Sequence, residues 1–220
     1  MRTDAADLAA RKDELRRRLR AARAGLARDL VVSRSTEAAT RLVGSLESYL
    51  APSSGKVVAL FAAIEAEGEL DPRAADPELR TRGMTPVYPR VVTKDPPRLS
   101  FHAVTAPHAL ARGPLGVPTP AADSPEVPLD RIAAFVVPGI AFSRTGARLG
   151  FGGGYYDATL AAAPHARRIA FTHPEQLVED LPESARDQRV DELVLPALTY
   201  ACPPRFAHSA ADAAVPGVKQ

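Results

Sequence analysis

Six short apolar runs punctuate the chain from residue 56 onward, at 56–62, 85–92, 99–104, 132–138, 168–172 and 190–195. Each is the length of a strand and too short for an ordinary helix, and the run at 56–62 has the unbroken apolar character of a strand buried on both faces. Helical intervals separate several of them: one opens at Asp71-Pro72 and stops near Gly83, and another covers 155–163. Strands that alternate with helices predict an α/β fold, a three-layer α/β/α arrangement with a mainly parallel, Rossmann-like sheet and ligands at the carboxyl ends of its strands. The runs at 85–92 and 99–104 differ, because only Lys94-Asp95-Pro96-Pro97 and one flanking residue on each side separate them, which reads as a hairpin or an edge extension. Only 12 of 220 residues are aromatic, so the core must be built from Val, Leu, Ile and Ala.

Upstream of the first run the period is helical. Leu8, Leu15, Leu19, Ala22, Leu26 and Leu30 predict one amphipathic helix over the first thirty residues, with Lys and Arg on its outer face and Lys12 and Arg16 one turn apart. A second helix is expected over 36–50, with Leu42, Leu46 and Leu50 on one stripe and Ser33 or Ser35 as its cap. Residues 105–130 are rich in Pro, Gly and Ala and lack periodicity, as in a long functional loop. The expected organisation is a single domain over 1–202 and a loosely held tail over 203–220.

A formal charge of +2 is too small for a general polyanion binder, yet residues 1–28 alone carry nine Lys/Arg against four Asp/Glu, so anion-binding potential concentrates at the N-terminus. The single Cys202 has no internal disulfide partner, which fits a reducing compartment. The apolar stretch 133–142 is interrupted by Pro138 and Gly139 and is far shorter than the ~20 residues of a membrane span. The first residues include acids and no hydrophobic block, unlike a secretory signal. A cytoplasmic protein that is not membrane-bound is expected.

The most informative segment follows the fourth run. Pro138-Gly-Ile-Ala-Phe142 leads into Arg148-Leu-Gly-Phe-Gly-Gly-Gly-Tyr-Tyr-Asp157, a strand end, a glycine loop and a helix start. Gly150, Gly152, Gly153 and Gly154 let backbone approach a ligand closely, and the free N–H groups of a helix start favour phosphate. The alternative is a flexible turn, since neither the dinucleotide fingerprint nor the Walker pattern is present. Arg148 reads either as a planar fork for phosphate or as a solvated loop arginine, Asp157 either as a metal ligand or as a complement to the helix dipole, and Tyr155 and Tyr156 either as pocket or as core. The five histidines show no ligand spacing, and no Gly-x-Ser-x-Gly element occurs, which disfavours a zinc site and a serine hydrolase.

These residues together resemble the 5-formyltetrahydrofolate cyclo-ligase family, also called methenyltetrahydrofolate synthetase. Lys12-Asp-Glu-Leu-Arg16, Glu67 after the first strand and Asp187-Gln-Arg-Val-Asp191 are similar to three further family elements in the same order. The resemblance implies a NagB/RpiA/CoA transferase-like version of the fold, a monomer, and conversion of 5-formyltetrahydrofolate and ATP to 5,10-methenyltetrahydrofolate, ADP and phosphate through a phosphorylated formyl oxygen. It also implies roles. Lys12, Arg16, Arg148, Leu149, Gly150, Phe151, Gly152, Gly153, Gly154, Tyr155 and Tyr156 would contact ATP, with Arg148 catalytic; Phe61, Ala62, Glu67, Phe151 and Tyr155 would contact the folate; Asp157 and Asp187 would serve Mg2+. Three acids crowd 65–69, so the choice of Glu67 rests on family position, and a carboxylate there could accept two N–H groups of a pterin. Lys12 and Arg16 read equally as a solvated basic face, and Phe61 as core.

The glycine loop has Phe151 and Gly153 where some members of the family carry Lys or Arg, and Thr119 and Ser143 each stand where an acid is usual. They motivate the rival of a nucleotide-binding paralogue acting on another folate or a thiamine-related compound. A second rival, an RNA-binding module using the basic first helix, lacks an aromatic stacking platform, and no nucleic-acid partner is expected.

Overall fold

The computed structural model describes residues 5–52, 54–113 and 117–205. Among the described residues four helices, α1 (Ala5–Ala24), α2 (Arg28–Tyr49), α3 (Asp76–Thr81) and α4 (Tyr155–Ala162), accompany twelve strands. In chain order these are β1 (Val57–Ala59), β2 (Thr85–Lys94), β3 (Pro97–Ala103), β4 (Ala111–Arg112), β5 (Pro118–Thr119), β6 (Glu126–Val127), β7 (Ile132–Val137), β8 (Ala141–Phe142), β9 (Arg148–Leu149), β10 (Arg167–Phe171), β11 (Glu192–Val194) and β12 (Thr199–Ala201).

Eight strands form the main sheet in the order β12-β11-β10-β7-β1-β2-β3-β6. The pairings from β11 through β2 are parallel, and the antiparallel β12 closes one edge while the β2–β3 hairpin and β6 extend the other. Adjacent residues of β7 serve opposite faces: Ala134 and Val136 join a cluster with Leu42 and Leu46 of α2 and Leu79 of α3, whereas Phe135 and Val137 pack with Leu160 of α4. This two-sided burial produces the unbroken apolar runs and the three-layer α/β/α architecture. Among the described residues no helix is long and apolar enough to cross a membrane.

The strand order reverses between β1 and β7. From β1 the chain passes to β2 on one side, and from β7 to β10 on the other. The segments leaving their carboxyl ends therefore diverge and open a crevice, the usual ligand position in such sheets. The turn at 65–69 follows β1, and the glycine loop at 150–154 follows β7 after the intervening β8–β9 hairpin.

The N-terminus departs from the expected single helix. The Gly25 and Leu26 amides close α1 onto the carbonyls of Ala21 and Arg23, and α2 begins at Arg28, with Ser33 and Ser35 inside it. Ser35 is no cap, since its hydroxyl donates back to the Val31 carbonyl at 2.7 Å, and Leu26 and Leu30 do not belong to the first helix. The strand β12 was unforeseen, and residues 206–220 of the expected tail lie outside the described residues.

Candidate active site at the carboxyl ends of β1 and β7

Beyond β7 the chain turns through Pro138 and Gly139 into the short β8–β9 hairpin, which delivers Arg148 to the base of the glycine loop. A local knot closes the hairpin. Ser143 Oγ lies 2.6 Å from Thr145 Oγ1 and accepts from the Ala147 amide at 3.2 Å, so the serine at this departure position serves the turn. Gly146 has φ +85°, and a Cβ there would collide with the Val190 carbonyl oxygen.

Arg148 is buried, its side chain only 3% exposed, which excludes the solvated-arginine reading. Its guanidinium donates to Asp157 Oδ1 at 2.6 Å and to the Pro138 carbonyl at 3.4 Å, and it lies 6.0 Å from the centre of the Tyr156 ring. The Arg148 Nε and the Tyr156 hydroxyl are buried without a hydrogen-bond partner. Buried polar groups are ordinarily satisfied, so two orphans beside one ion pair mark a place prepared for something polar. Burial also pushes the Tyr156 phenol up, keeping it a neutral donor.

The loop carries Gly152 at φ +100° and Gly154 at φ +70°, conformations that suit glycine. Gly154 is the N-cap of α4 without a side-chain cap, so the helix start is left for another acceptor. Asp157 Oδ1 also accepts from the amide of Gln188, the residue that follows Asp187, at 3.0 Å. Asp187 pairs with Lys12 and accepts from the Ser184 amide at 2.6 Å. Burial alone would raise the Asp187 carboxyl, but Lys12 and the Ser184 amide outweigh it and hold the group below the usual carboxylate range.

One stripe of α1 crosses both segments. Lys12 meets Asp187, Arg16 Nε donates to the Gly150 carbonyl at 2.9 Å, and Arg23 donates to the Gly139 carbonyl at 3.0 Å and the Glu67 carbonyl at 2.7 Å. Arg20 grips both Glu67 oxygens, and Phe151, 39% exposed, has the guanidiniums of Arg20 and Arg23 at 5.7 and 5.5 Å from its ring. An open groove of about 490 Å³ runs beside this stripe, bordered by Arg16, Arg17, Arg20 and Glu67. Lys12 and Arg16 are thus part of a built contact and not a solvated face.

The acids of the β1 turn divide. Glu67 has both oxygens engaged by Arg20, which holds its carboxyl below the usual range. Glu69 is buried at 5% exposure, accepts from the Ile64 amide at 2.9 Å and lies 3.6 Å from Arg23. Burial pushes its carboxyl up to about 7 against the pull of Arg23 and that amide. Sequence reasoning missed Glu69, Arg20 and Arg23, although the spacing of Lys12, Arg16, Arg20 and Arg23 marks one helical face. The remaining expected residues lie deeper: Phe61 joins the core cluster that Tyr156 borders, Ala62 is buried, Leu149 packs with Leu19 and Ile140, and Tyr155 packs against the α4-side cluster.

Residues 8–196 match the model of the 5-formyltetrahydrofolate cyclo-ligase family. The chain belongs to this family. Membership makes it an enzyme of the ligase class. The 5-formyltetrahydrofolate cyclo-ligase of Escherichia coli K12 is 30% identical over 167 residues, 74% of this chain and 88% of that protein. Among solved structures, the 5,10-methenyltetrahydrofolate synthetase of Aquifex aeolicus superposes with TM-score 0.73 at 28% identity, covering 92% of this chain and 99% of that one. The synthetase from Mycoplasma pneumoniae superposes with TM-score 0.67 at 21% identity, covering 84% and 98%, and supports the fold.

Proposed function

We propose that this cyclo-ligase family member uses ATP to cyclise 5-formyltetrahydrofolate to 5,10-methenyltetrahydrofolate, releasing ADP and phosphate, as a cytoplasmic enzyme. The observation that carries the reading is the buried Arg148–Asp157 pair beneath a glycine loop, opposite an acidic turn across the crevice between β1 and β7. In this reaction the γ-phosphoryl group passes to the formyl oxygen, breaking its bond to ADP. The nitrogen at position 10 then attacks the activated carbon and gives up its proton, and the carbon–oxygen bond breaks so that the formyl oxygen leaves within inorganic phosphate, which can take that proton. Little of this needs protein-borne covalent chemistry, so positioning and charge stabilisation carry it.

The glycine loop and the uncapped start of α4 would hold the phosphates, with Lys12 and Arg16 adding cations from α1. Arg148 would trade part of its bond to Asp157 for the transferring phosphoryl group and stabilise the charge that develops on it. Magnesium suits one or two carboxylates with phosphate oxygens and waters, and Asp157 and Asp187 are of that donor type, Asp157 keeping Oδ2 with no hydrogen bond among the described residues. When bound, the ion would neutralise phosphate charge.

On the folate side Glu69 is the better acceptor for adjacent pterin N–H groups, since Glu67 is already spent on Arg20. Phe151 and the Tyr156 hydroxyl would meet the ring system. The local turn gives Ser143 a structural role of its own at the position where an acid was expected.

The test mixes protein, ATP, Mg2+ and 5-formyltetrahydrofolate and follows the near-ultraviolet absorption of the methenyl product together with phosphate release. Both signals should rise in equal amounts and vanish on chelating the metal. Absence of product across a range of pH and metal rejects the reading.

A further inference from the structure

The acidic turn is braced from behind by a fully buried histidine. His173 follows β10, and its Nε2 lies 3.0 Å from the Gly68 carbonyl while its Nδ1 lies 3.3 Å from an Arg34 guanidinium nitrogen of α2. A carbonyl only accepts and a guanidinium only donates, so both contacts exist together in one protonation state: neutral imidazole with its proton on Nε2. Arg34 is itself fixed, with both oxygens of Glu175 at 2.9 Å. Burial and the Arg34 cation both lower the histidine's affinity for a second proton, against the opposite effect of the Gly68 carbonyl.

Gly68 separates Glu67 from Glu69 at φ +62°, with no room for a Cβ against the Arg23 carbonyl. The Glu67 carbonyl accepts from Arg23 and the Gly68 carbonyl pairs with His173, so two successive peptide planes are each held by a side chain. That fixes the direction in which Glu69 leaves the backbone. The same histidine's amide donates to Gln176 Oε1 at 3.1 Å, and Gln176 donates to the Gly139 carbonyl at 2.8 Å, tying the brace to the loop that leaves β7.

We propose that His173 is a positioning residue for folate recognition: as the neutral Nε2–H tautomer oriented by Arg34, it clamps the Gly68 carbonyl and thereby aims Glu69 into the crevice. The proposal rests on the reading of Glu69 given above. It concerns aim and not contact, since His173 touches no expected ligand.

His173→Asn keeps an acceptor for Arg34 but is too short to reach Gly68, whereas His173→Gln restores a donor near the Nε2 position. Calorimetry with 5-formyltetrahydrofolate alone, and separately with a non-hydrolysable ATP analogue and Mg2+, should show folate affinity lowered tenfold or more in the Asn variant. Nucleotide affinity should stay within twofold, and the Gln variant should lie within threefold of the unsubstituted protein for both ligands. Unchanged folate binding by the Asn variant, or parallel loss of both ligands, overturns the proposal. Nitrogen-resolved spectra of the unsubstituted protein should report bare Nδ1 and protonated Nε2 for His173 between pH 8 and 6.5, and a proton on Nδ1 there also overturns it. If the unsubstituted protein binds no folate, the functional reading fails, while these spectra still decide whether the brace exists.

Discussion

The Arg148 guanidinium and the Asp157 carboxylate meet at 2.6 Å beneath the glycine loop, nine residues apart in sequence and buried on the arginine side. Without ligand, the cation suited to a phosphoryl group and the anion suited to a metal neutralise each other. Ligands of both signs can therefore enter together with little net desolvation of bare charge. Arg148→Ala should lower turnover by about 10²–10³, in line with the loss of one preorganised donor, and leave the folate dissociation constant within twofold. Arg148→Lys should not restore it, because an ammonium cannot span Asp157, the Pro138 carbonyl and a phosphoryl oxygen as a planar fork does. An unchanged rate in the alanine variant removes Arg148 from the reaction.

Lys12 is assigned to nucleotide through the segment it touches. Lys12→Ala should weaken ATP binding about tenfold, the loss of one charge-assisted contact, while folate binding measured alone is retained. Calorimetry with each ligand decides this; equal weakening of both would mean that the substitution releases α1 as a whole.

Glu69 links pH to stability and to recognition. Its folded-state value of about 7 lies above the ordinary 4.5, so between those values the native protein holds a proton that the unfolded chain has released. Stability from this group therefore declines as pH rises through that window, by roughly 3 kcal/mol at most. Denaturant melts of Glu69→Gln should show a flatter pH dependence from 5 to 8. Pterin donors need the ionised carboxylate, so folate affinity should rise several-fold from pH 6 to 8 in the unsubstituted protein and not in the variant. A flat affinity profile would exclude Glu69 as the acceptor. Glu67→Gln should have the smaller effect on folate binding.

The parallel sheet was legible because strands sandwiched between two helical layers cannot afford polar residues, and the runs at 56–62 and 132–138 mark β1 and β7. The break after α1 was not legible. Leu26 and Leu30 continue the apolar spacing, yet Gly25 ends the helix, and α1 docks through Lys12, Arg16 and Arg23 with Leu19 its one buried apolar side chain. Among 65–69, facing inward or outward is decided by the left-handed turn at Gly68, so a residue count could identify an acidic cluster but not choose between Glu67 and Glu69.

Gly146 has a purely conformational role that a single methyl group can test. Gly146→Ala should destabilise the protein by roughly 2 kcal/mol or more, since a positive φ costs about 1–3 kcal/mol for other residues and the added carbon meets the Val190 carbonyl. Because the same turn presents Arg148, turnover should fall as well. An unshifted urea midpoint would show that the turn readily relaxes.

Of the twenty residues of α1, burial reaches only Leu19 and Arg23, and the helix is fastened from its middle to its C-terminal end by Lys12, Arg16, Arg20 and Arg23. Those fastenings mix ion pairs, Lys12 with Asp187 and Arg20 with Glu67, with guanidinium bonds to carbonyl oxygens; electrolyte weakens their solvent-facing charge, Arg20 first, whereas the oily layers beside the sheet are indifferent to such dilution of charge. Brine and heat should therefore dismantle the molecule in different orders, the first peeling the amino-terminal strap while the sheet endures.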